Sequence, residues 1–378
     1  MDAMALPDAI VGREEIDAVL SMAAAAGASD VYVSTYEPVM MRVHGRIQDL
    51  APRRVRANEL NRWVTVTYDE NPAGISRVRA GTPIDYSYEC RERLEGERLR
   101  WRVNAAGILK EGQTDVRVVM RRISSEPPTV EKLGTPENLV KASDHLARGL
   151  MIVTGPTGSG KSTTLSALLR RRVESEDDHV HLVTLESPVE YIYDDVPKRH
   201  AVVTQIEVGR HVESFERGVE NALRQDPDLI LVGETRDRET ARAVLQAAQT
   251  GHGVYTTLHT NGVTKTLIRL LEVFPARERE TARESLVDAV SVVMAQRLLP
   301  RVGGGRVAAF EYLIFDEDLK ASLRGADNFS SVLEGALHER GMPMGRYVGE
   351  LLKAGVIDEK SHDDFMARWS MESLVVQS

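Results

Sequence analysis

The chain has 378 residues, 42% of them hydrophobic and 28% charged, with a formal net charge of −9. That is the make-up of a soluble globular protein of roughly two or three domains. The acidic balance speaks against a chain whose main task is to grip phosphates of DNA or RNA, so no direct nucleic acid is expected as a partner.

Residues 10–28 read as a helix with Ile16, Val19, Leu20 and Ala23 on one face. Val31–Ser34 and Met40–Gly45 follow as strands, and a helix is expected around Asn58–Thr67. Ile84–Glu89, Glu97–Ala106 and Gln113–Arg122 alternate like antiparallel strands with charged outer faces. Residues 1–125 therefore read as a small α+β domain. Ser124-Ser-Glu-Pro-Pro-Thr129 marks a linker, extended loosely over 126–148.

From Gly149 strands alternate with helices, the pattern of a parallel sheet. Leu150–Thr154, Val180–Leu185, Leu229–Val232 and Val254–Leu258 are short and nearly all apolar, as strands buried on both faces are. Helices are expected over Ser214–Arg224, Glu239–Thr250 and Leu286–Leu299. The expected domain runs 149–305. Residues 306–378 then read as a strand-like Val307–Ile314 followed by short amphipathic helices at Asn328–Arg340, Arg346–Ala354 and Asp358–Trp369.

The lone cysteine, Cys90, excludes an internal disulfide and a CxxC zinc site, which fits a reducing cytosol. The N-terminus shows no signal-peptide pattern, and no apolar run nears the roughly 20 residues that span a bilayer. A cytoplasmic location is expected, with any membrane role peripheral and through a partner.

The chemistry centres on Gly155-Pro156-Thr157-Gly158-Ser159-Gly160-Lys161-Ser162-Thr163, placed between a strand and a helix. This is the Walker A spacing, whose backbone N–H groups cradle phosphates at a helix start. Lys161 is expected on the β- and γ-phosphates, and the Ser162 hydroxyl on Mg²⁺. Glu234 closes Asp226-Pro-Asp-Leu-Ile-Leu-Val-Gly-Glu234, a carboxylate at a buried strand's end that can hold Mg²⁺ directly or through water. Asp228 reads equally well as a turn residue.

Glu186 and Glu190 lie in Thr184–Tyr191, where a carboxylate can orient a water and take its proton. On the residues alone, a Glu before a Ser-Pro turn is more often a structural device. His259 ends the fourth apolar strand and can hydrogen-bond a γ-phosphate, or be an ordinary satisfied polar group.

The Walker A run, the acidic box Thr184–Tyr191, the Walker B run Leu223–Asp237 and the histidine box Thr250–His259, in that order, resemble the PilT/GspE-type secretion ATPases. Gln296-Arg-Leu-Leu-Pro300 is similar to that family's sequence as well. The resemblance spans about residues 15–325. It implies a RecA-like P-loop motor domain with a mostly parallel sheet, a PAS-like N-terminal domain before it and a helical tail after it. It also implies ATP and Mg²⁺ as ligands, a homohexameric ring, and partners in an inner-membrane secretion, conjugation or pilus machine. Arg100–Ala105 and Val119–Ile123 resemble the arginine segments of the family's N-terminal domain, which makes Arg102 and Arg121 candidate arginine fingers. Glu186 is then the expected water-orienting base with Glu190 in support, and His259 the γ-phosphate sensor.

Three departures matter. Ser187 stands where the family's box has Asp, Asp318–Arg324 matches the helix motif of pilus-retraction motors only loosely, and the four-cysteine zinc element is missing. The resemblance is nearer to the DotB/TraJ-like ATPases of type IVB secretion and conjugation than to a PilT-type retraction motor. A nucleic-acid translocase and a nucleotide-gated scaffold are the alternatives from other classes.

Overall fold

A computed structural model describes residues 7–94 and 96–374. The chain forms two compact units. The first takes the chain up to Glu126, together with the short segments Ser187–Ile192 and Glu207–Glu213. The second takes Pro127–Glu186, Tyr193–Ile206 and the chain from Ser214 onward.

The first unit contains α1 (Arg13–Ala25), β1 (Asp30–Ser34), β2 (Pro38–Val43), β3 (Arg46–Arg54), α2 (Ala57–Thr67) and α3 (Ala73–Arg79). It is completed by β4 (Ile84–Leu94), β5 (Glu97–Lys110) and β6 (Gln113–Ile123). Its strands pair antiparallel in the order β3-β2-β1-β6-β5-β4. Alternation decides the faces. Val116, Val118 and Met120 of β6 and Trp101, Val103 and Ala105 of β5 are buried in a core that also holds Trp63, while Arg102 and Arg121 lie on the other face. α1 starts where Glu15 reaches back to the Gly12 N–H at 2.8 Å.

The second unit opens with α4 (Val130–Leu133) and α5 (Glu137–Asp144), inside the stretch expected as a loose linker. Val130, Leu139, Val140 and Leu146 are buried in the second unit's core, so this stretch is packed structure. Then come β7 (Gly149–Thr154), α6 (Lys161–Glu174), β8 (Val180–Glu186), β9 (Ala201–Glu207), α7 (Phe215–Ala222), β10 (Leu229–Val232), α8 (Arg238–Gln249) and β11 (Gly253–Leu258). α9 (Val263–Glu272), α10 (Arg279–Ala289), β12 (Val290–Pro300) and β13 (Arg306–Ile314) follow, and α11 (Glu317–Arg324), α12 (Phe329–Glu339), α13 (Met344–Lys353) and α14 (Glu359–Leu374) end the chain.

The sheet order is β13-β12-β7-β11-β10-β8-β9. Strands β12, β7, β11, β10 and β8 run parallel, and β13 is antiparallel at one side. Every residue of β7, β10 and β11 is buried, as the apolar runs require.

The expected helix Leu286–Leu299 is corrected: α10 ends at Ala289 and β12 begins at Val290. A strand buried on both faces has a continuous apolar run, which periodicity does not separate from helix. The β-branched cluster Val290, Val292 and Val293 favours the extended state. Strand β13, assigned by expectation to the C-terminal region, completes the sheet. Leu299 and Ala309 of the β12–β13 hairpin share a small core with Met344, Val348 and Ile357, and Arg297 lies 5.3 Å over the Trp369 ring. No helix among the described residues is long and apolar enough to cross a membrane.

Candidate nucleotide site

β7 feeds the glycine loop, and α6 starts at Lys161 with Gly160 as a left-handed N-cap and no side-chain cap. A helix start without a side-chain acceptor is where an anion can serve as the cap. Lys161 is 7% exposed, and its ammonium donates to the carbonyls of Gly155 at 2.9 Å and Pro156 at 3.1 Å. Phosphate oxygens are stronger acceptors for that ammonium than neutral carbonyls. The loop therefore suits a polyphosphate.

The neighbouring strand ends supply the rest. The sheet order places the tip of β11 beside the P-loop strand, then β10, then β8. His259 follows β11 and Glu234 follows β10, and His259 Nε2 stands 3.6 Å from Glu234 Oε2. Glu234 also pairs with Arg236, at 2.5 Å. Thr157, Thr235, Arg236, Leu258, His259 and Thr260 line a cleft of about 450 Å³ here. A larger hollow, about 610 Å³, sits at the far end of α6 around Arg170, Arg171 and Arg172. Arg171 is paired with Asp144 and Arg172 with Asp178, so its charges are already neutralised and it lies a helix length from the glycine loop.

Partial burial pushes the His259 imidazole below its usual range, Lys161 and Arg236 push the same way, and Glu234 opposes them. The ring is thus neutral at physiological pH. Ser162 at the start of α6 and Glu234 offer hydroxyl and carboxylate oxygens, a donor set that suits Mg²⁺ when phosphates and water complete its shell. Bound there, Mg²⁺ would neutralise charge on the phosphates.

Glu186, on the third strand out from β7, is 8% exposed and accepts the Thr184 hydroxyl at 2.9 Å. The Asp228 carboxylate accepts the His181 N–H at 2.7 Å, and Asp237 caps α8 through the Thr240 N–H at 2.8 Å; both are structural.

Within the first unit, Arg102 and Arg121 face each other on β5 and β6, Arg121 faces Asp30 on β1, and Asp30 faces Arg42 on β2. Arg121 Nε donates to Asp30 at 2.8 Å. Glu190 belongs to the Ser187–Ile192 segment of this unit and lies 3.7 Å from Arg102. The buried Arg100 guanidinium anchors that segment through the carbonyls of Glu190 at 2.6 Å and Val189 at 2.9 Å. The carboxylate of Glu207 accepts the Val189 N–H at 3.1 Å and the Ser87 hydroxyl at 2.6 Å.

Several positioning residues escaped the sequence reading. Thr154, Thr260 and Thr266 form a hydroxyl chain, at 2.6 Å per link, that ties the end of β7 to the loop after His259. Glu311 of β13, buried, accepts the Val263 N–H at 2.8 Å and the Met344 N–H at 3.1 Å, so one carboxylate caps both α9 and α13. Only the three-dimensional pairing of β13 with β12 reveals it. Gln296 and Arg100 lie in motifs that the sequence singled out, without a role.

A parallel sheet that carries a glycine loop on one strand, and an acid and a histidine on the next strand tips, defines a P-loop nucleotide-binding protein. More narrowly, the chain belongs to the Type II/IV secretion system protein family, whose model matches residues 7–316. It is 38% identical over 301 residues to the Type IV pilus retractation ATPase PilT of Pseudomonas aeruginosa, covering 79% of this chain and 82% of that one. Among solved structures it is similar to the Legionella pneumophila ATPase DotB, at 35% identity and a TM-score of 0.90 over 97% of this chain and 98% of that one. It is also similar to the pilus retraction motor PilT with bound ADP, at 32% identity and a TM-score of 0.77, over 92% and 95% of the two chains. The resemblance to PilT/GspE-type secretion ATPases read from the motifs is borne out.

Proposed function

We propose that this protein is a Mg²⁺-dependent ATP hydrolase that assembles as a homohexamer and powers a type IVB-like secretion or conjugation machine at the inner membrane. The observation that carries the reading is the likeness to the ATPase DotB along 97% of the chain. It is combined with an uncapped helix start and a Lys161 held inside the glycine loop. ATP is the substrate, bound by Gly155–Thr163, with Mg²⁺ on Ser162 and Glu234. Glu186 orients the attacking water with Glu190 in support, and His259 senses the γ-phosphate. Arg102 and Arg121 neutralise charge developing on the transferred phosphoryl group, an effect worth roughly 10³–10⁵ in rate when a finger is complete. The ring acts in the cytoplasm and reaches the membrane through a partner protein.

The test is phosphate release from ATP by the full chain, with and without Mg²⁺, alongside particle mass by light scattering. The reading expects Mg²⁺-dependent turnover by a ring of six copies. ATP turnover that appears only with single-stranded DNA would instead favour a nucleic-acid translocase. The identity to PilT, 38%, keeps pilus retraction as the second reading. Pull-down of pilus rather than secretion-channel proteins from the native host would select it.

A further inference from the structure

We propose that Gln296 is a positioning residue for the glycine loop: its buried amide sets the loop's phosphate-binding shape, and its loss weakens nucleotide binding before it slows chemistry. The proposal rests on the ATPase reading above.

Four observations converge on this side chain. Strand β12 runs parallel to β7 with Ala295 opposite Thr154 as the last pair, so Gln296 continues alongside Gly155. Gln296 is 2% exposed, and its Nε2 donates to the Ser159 carbonyl at 2.8 Å. Its Oε1 accepts the Thr164 hydroxyl at 2.8 Å, from the first turn of α6. A carbonyl can only accept, so the amide has one orientation that satisfies both partners. The side chain therefore spans from the tip of the loop to the helix that follows it.

The glycines at both ends of the loop fit against the same residue. A Cβ on Gly155 would meet the Gln296 carbonyl oxygen at 2.4 Å, and one on Gly160 would meet Gln296 Nε2 at 2.9 Å. Both glycines also have φ in the left-handed region, at 144° and 86°. The loop is thus held open by contact with β12 as well as by its own backbone. Lys161 bonds the carbonyls of Gly155 and Pro156, so a loop that slackens shifts the ammonium with it.

The groups that Gln296 touches are the loop backbone and a helix hydroxyl; no contact with Glu234, His259 or Glu186 accompanies them among its hydrogen bonds. Its effect should therefore appear in binding. Without these bonds the loop holds its phosphate-binding shape for a smaller share of the time, and a share of about a tenth lowers affinity about tenfold.

The experiment compares full-length wild type, Gln296→Leu, Gln296→Glu and Thr164→Val by fluorescent ADP titration, ATP turnover kinetics and thermal melting. Gln296→Leu is close in volume and removes both bonds. It should raise the ADP Kd and the ATP KM about tenfold while kcat stays within about threefold. Gln296→Glu keeps the acceptor for Thr164 but sets a carboxylate oxygen against the Ser159 carbonyl, and should weaken binding further. Thr164→Val removes only the hydroxyl and should shift Kd in the same direction by less; it carries the test if the Gln296 variants do not fold. Variants that melt earlier but bind ADP and ATP as wild type does would overturn the proposal. Wild type that binds no ADP would overturn the ATPase reading and this proposal with it, whereas wild-type binding with unshifted variants would overturn this proposal alone.

Discussion

Arg102 and Arg121 stand directly opposite each other on neighbouring antiparallel strands. Like charges in that relation repel and are destabilising unless compensated. Compensation comes from both flanks: the Asp30 carboxylate, with its side chain 5% exposed, pairs with Arg121, and Glu190 pairs with Arg102. The row Arg42, Asp30, Arg121, Arg102 thus crosses neighbouring strands on one face of the first unit's sheet.

The Arg102–Glu190 pair has side chains 42% and 36% exposed, and such pairs contribute only about 0–1 kcal/mol. Arg102→Ala should therefore leave the melting temperature nearly unchanged. Its ATP turnover should fall by at least about tenfold with ADP affinity held, as for loss of charge stabilisation in the transition state. Unchanged kcat would remove Arg102 from the finger role.

Glu186 and Glu190 are separable. Glu186 is buried and accepts the Thr184 hydroxyl, while Glu190 is part-exposed beside Arg102. With Glu186 as the base, Glu186→Gln should lower kcat about 10²–10⁴-fold, the usual worth of a general base, and Glu190→Gln should cost less. Single-turnover kinetics of both variants decide the order, and the reverse ranking would transfer the role to Glu190.

His259 should leave an acid limb in the pH profile. Its folded value is held below the usual 6.5, by burial first and then by Lys161. With the neutral ring as the working form, kcat/KM should be level above neutrality and fall as pH drops through that lowered value. His259→Asn should lose this limb. The linkage has the same sign. The unfolded chain takes up the proton first, so this residue costs no stability above 6.5 and weakens the fold as pH falls below it.

Glu311 links two helix starts. Burial raises its carboxyl above the usual 4.5, and the N–H groups of Val263 and Met344 partly offset that. Glu311→Ala should leave α9 and α13 without their shared cap and cost about 2 kcal/mol, near the sum of two N-caps. Thermal melts below pH 4.5, where its contribution is greatest, measure it. The folded chain holds this proton longer than the unfolded one does. Its contribution is therefore greatest below 4.5 and fades as pH rises through the folded value, a dependence that Glu311→Ala should abolish.

Much of this was legible because local chemistry left few choices. Gly155–Ser162 needs left-handed glycines and a helix start at fixed spacing, and the apolar runs before Glu186, Glu234 and His259 are too short for helices and suit strands covered on both faces. What escaped depends on partners distant in sequence. β12 hides in the apolar run after Ala289, since a strand buried on both faces and a buried helix carry the same composition. The edge strand β9 has mixed exposure and no regular alternation of buried and exposed residues. Arg100 and Arg102 look alike in Arg-Trp-Arg. Yet Arg100 is buried against the carbonyls of Val189 and Glu190, while Arg102 meets the carboxylate. Gln296 and Glu311 acquire roles only when β12 is set beside β7 and β13 beside β12.

The central claim is that ATP is hydrolysed at the glycine loop Gly155–Ser162 with Glu234 serving the metal. The most direct measurement is steady-state phosphate release from Mg²⁺–ATP by Glu234→Gln, with ATP binding measured on the same sample. Turnover should fall at least about a hundredfold while ATP still binds within a few-fold of wild type. Turnover at the wild-type rate by this variant would contradict the account.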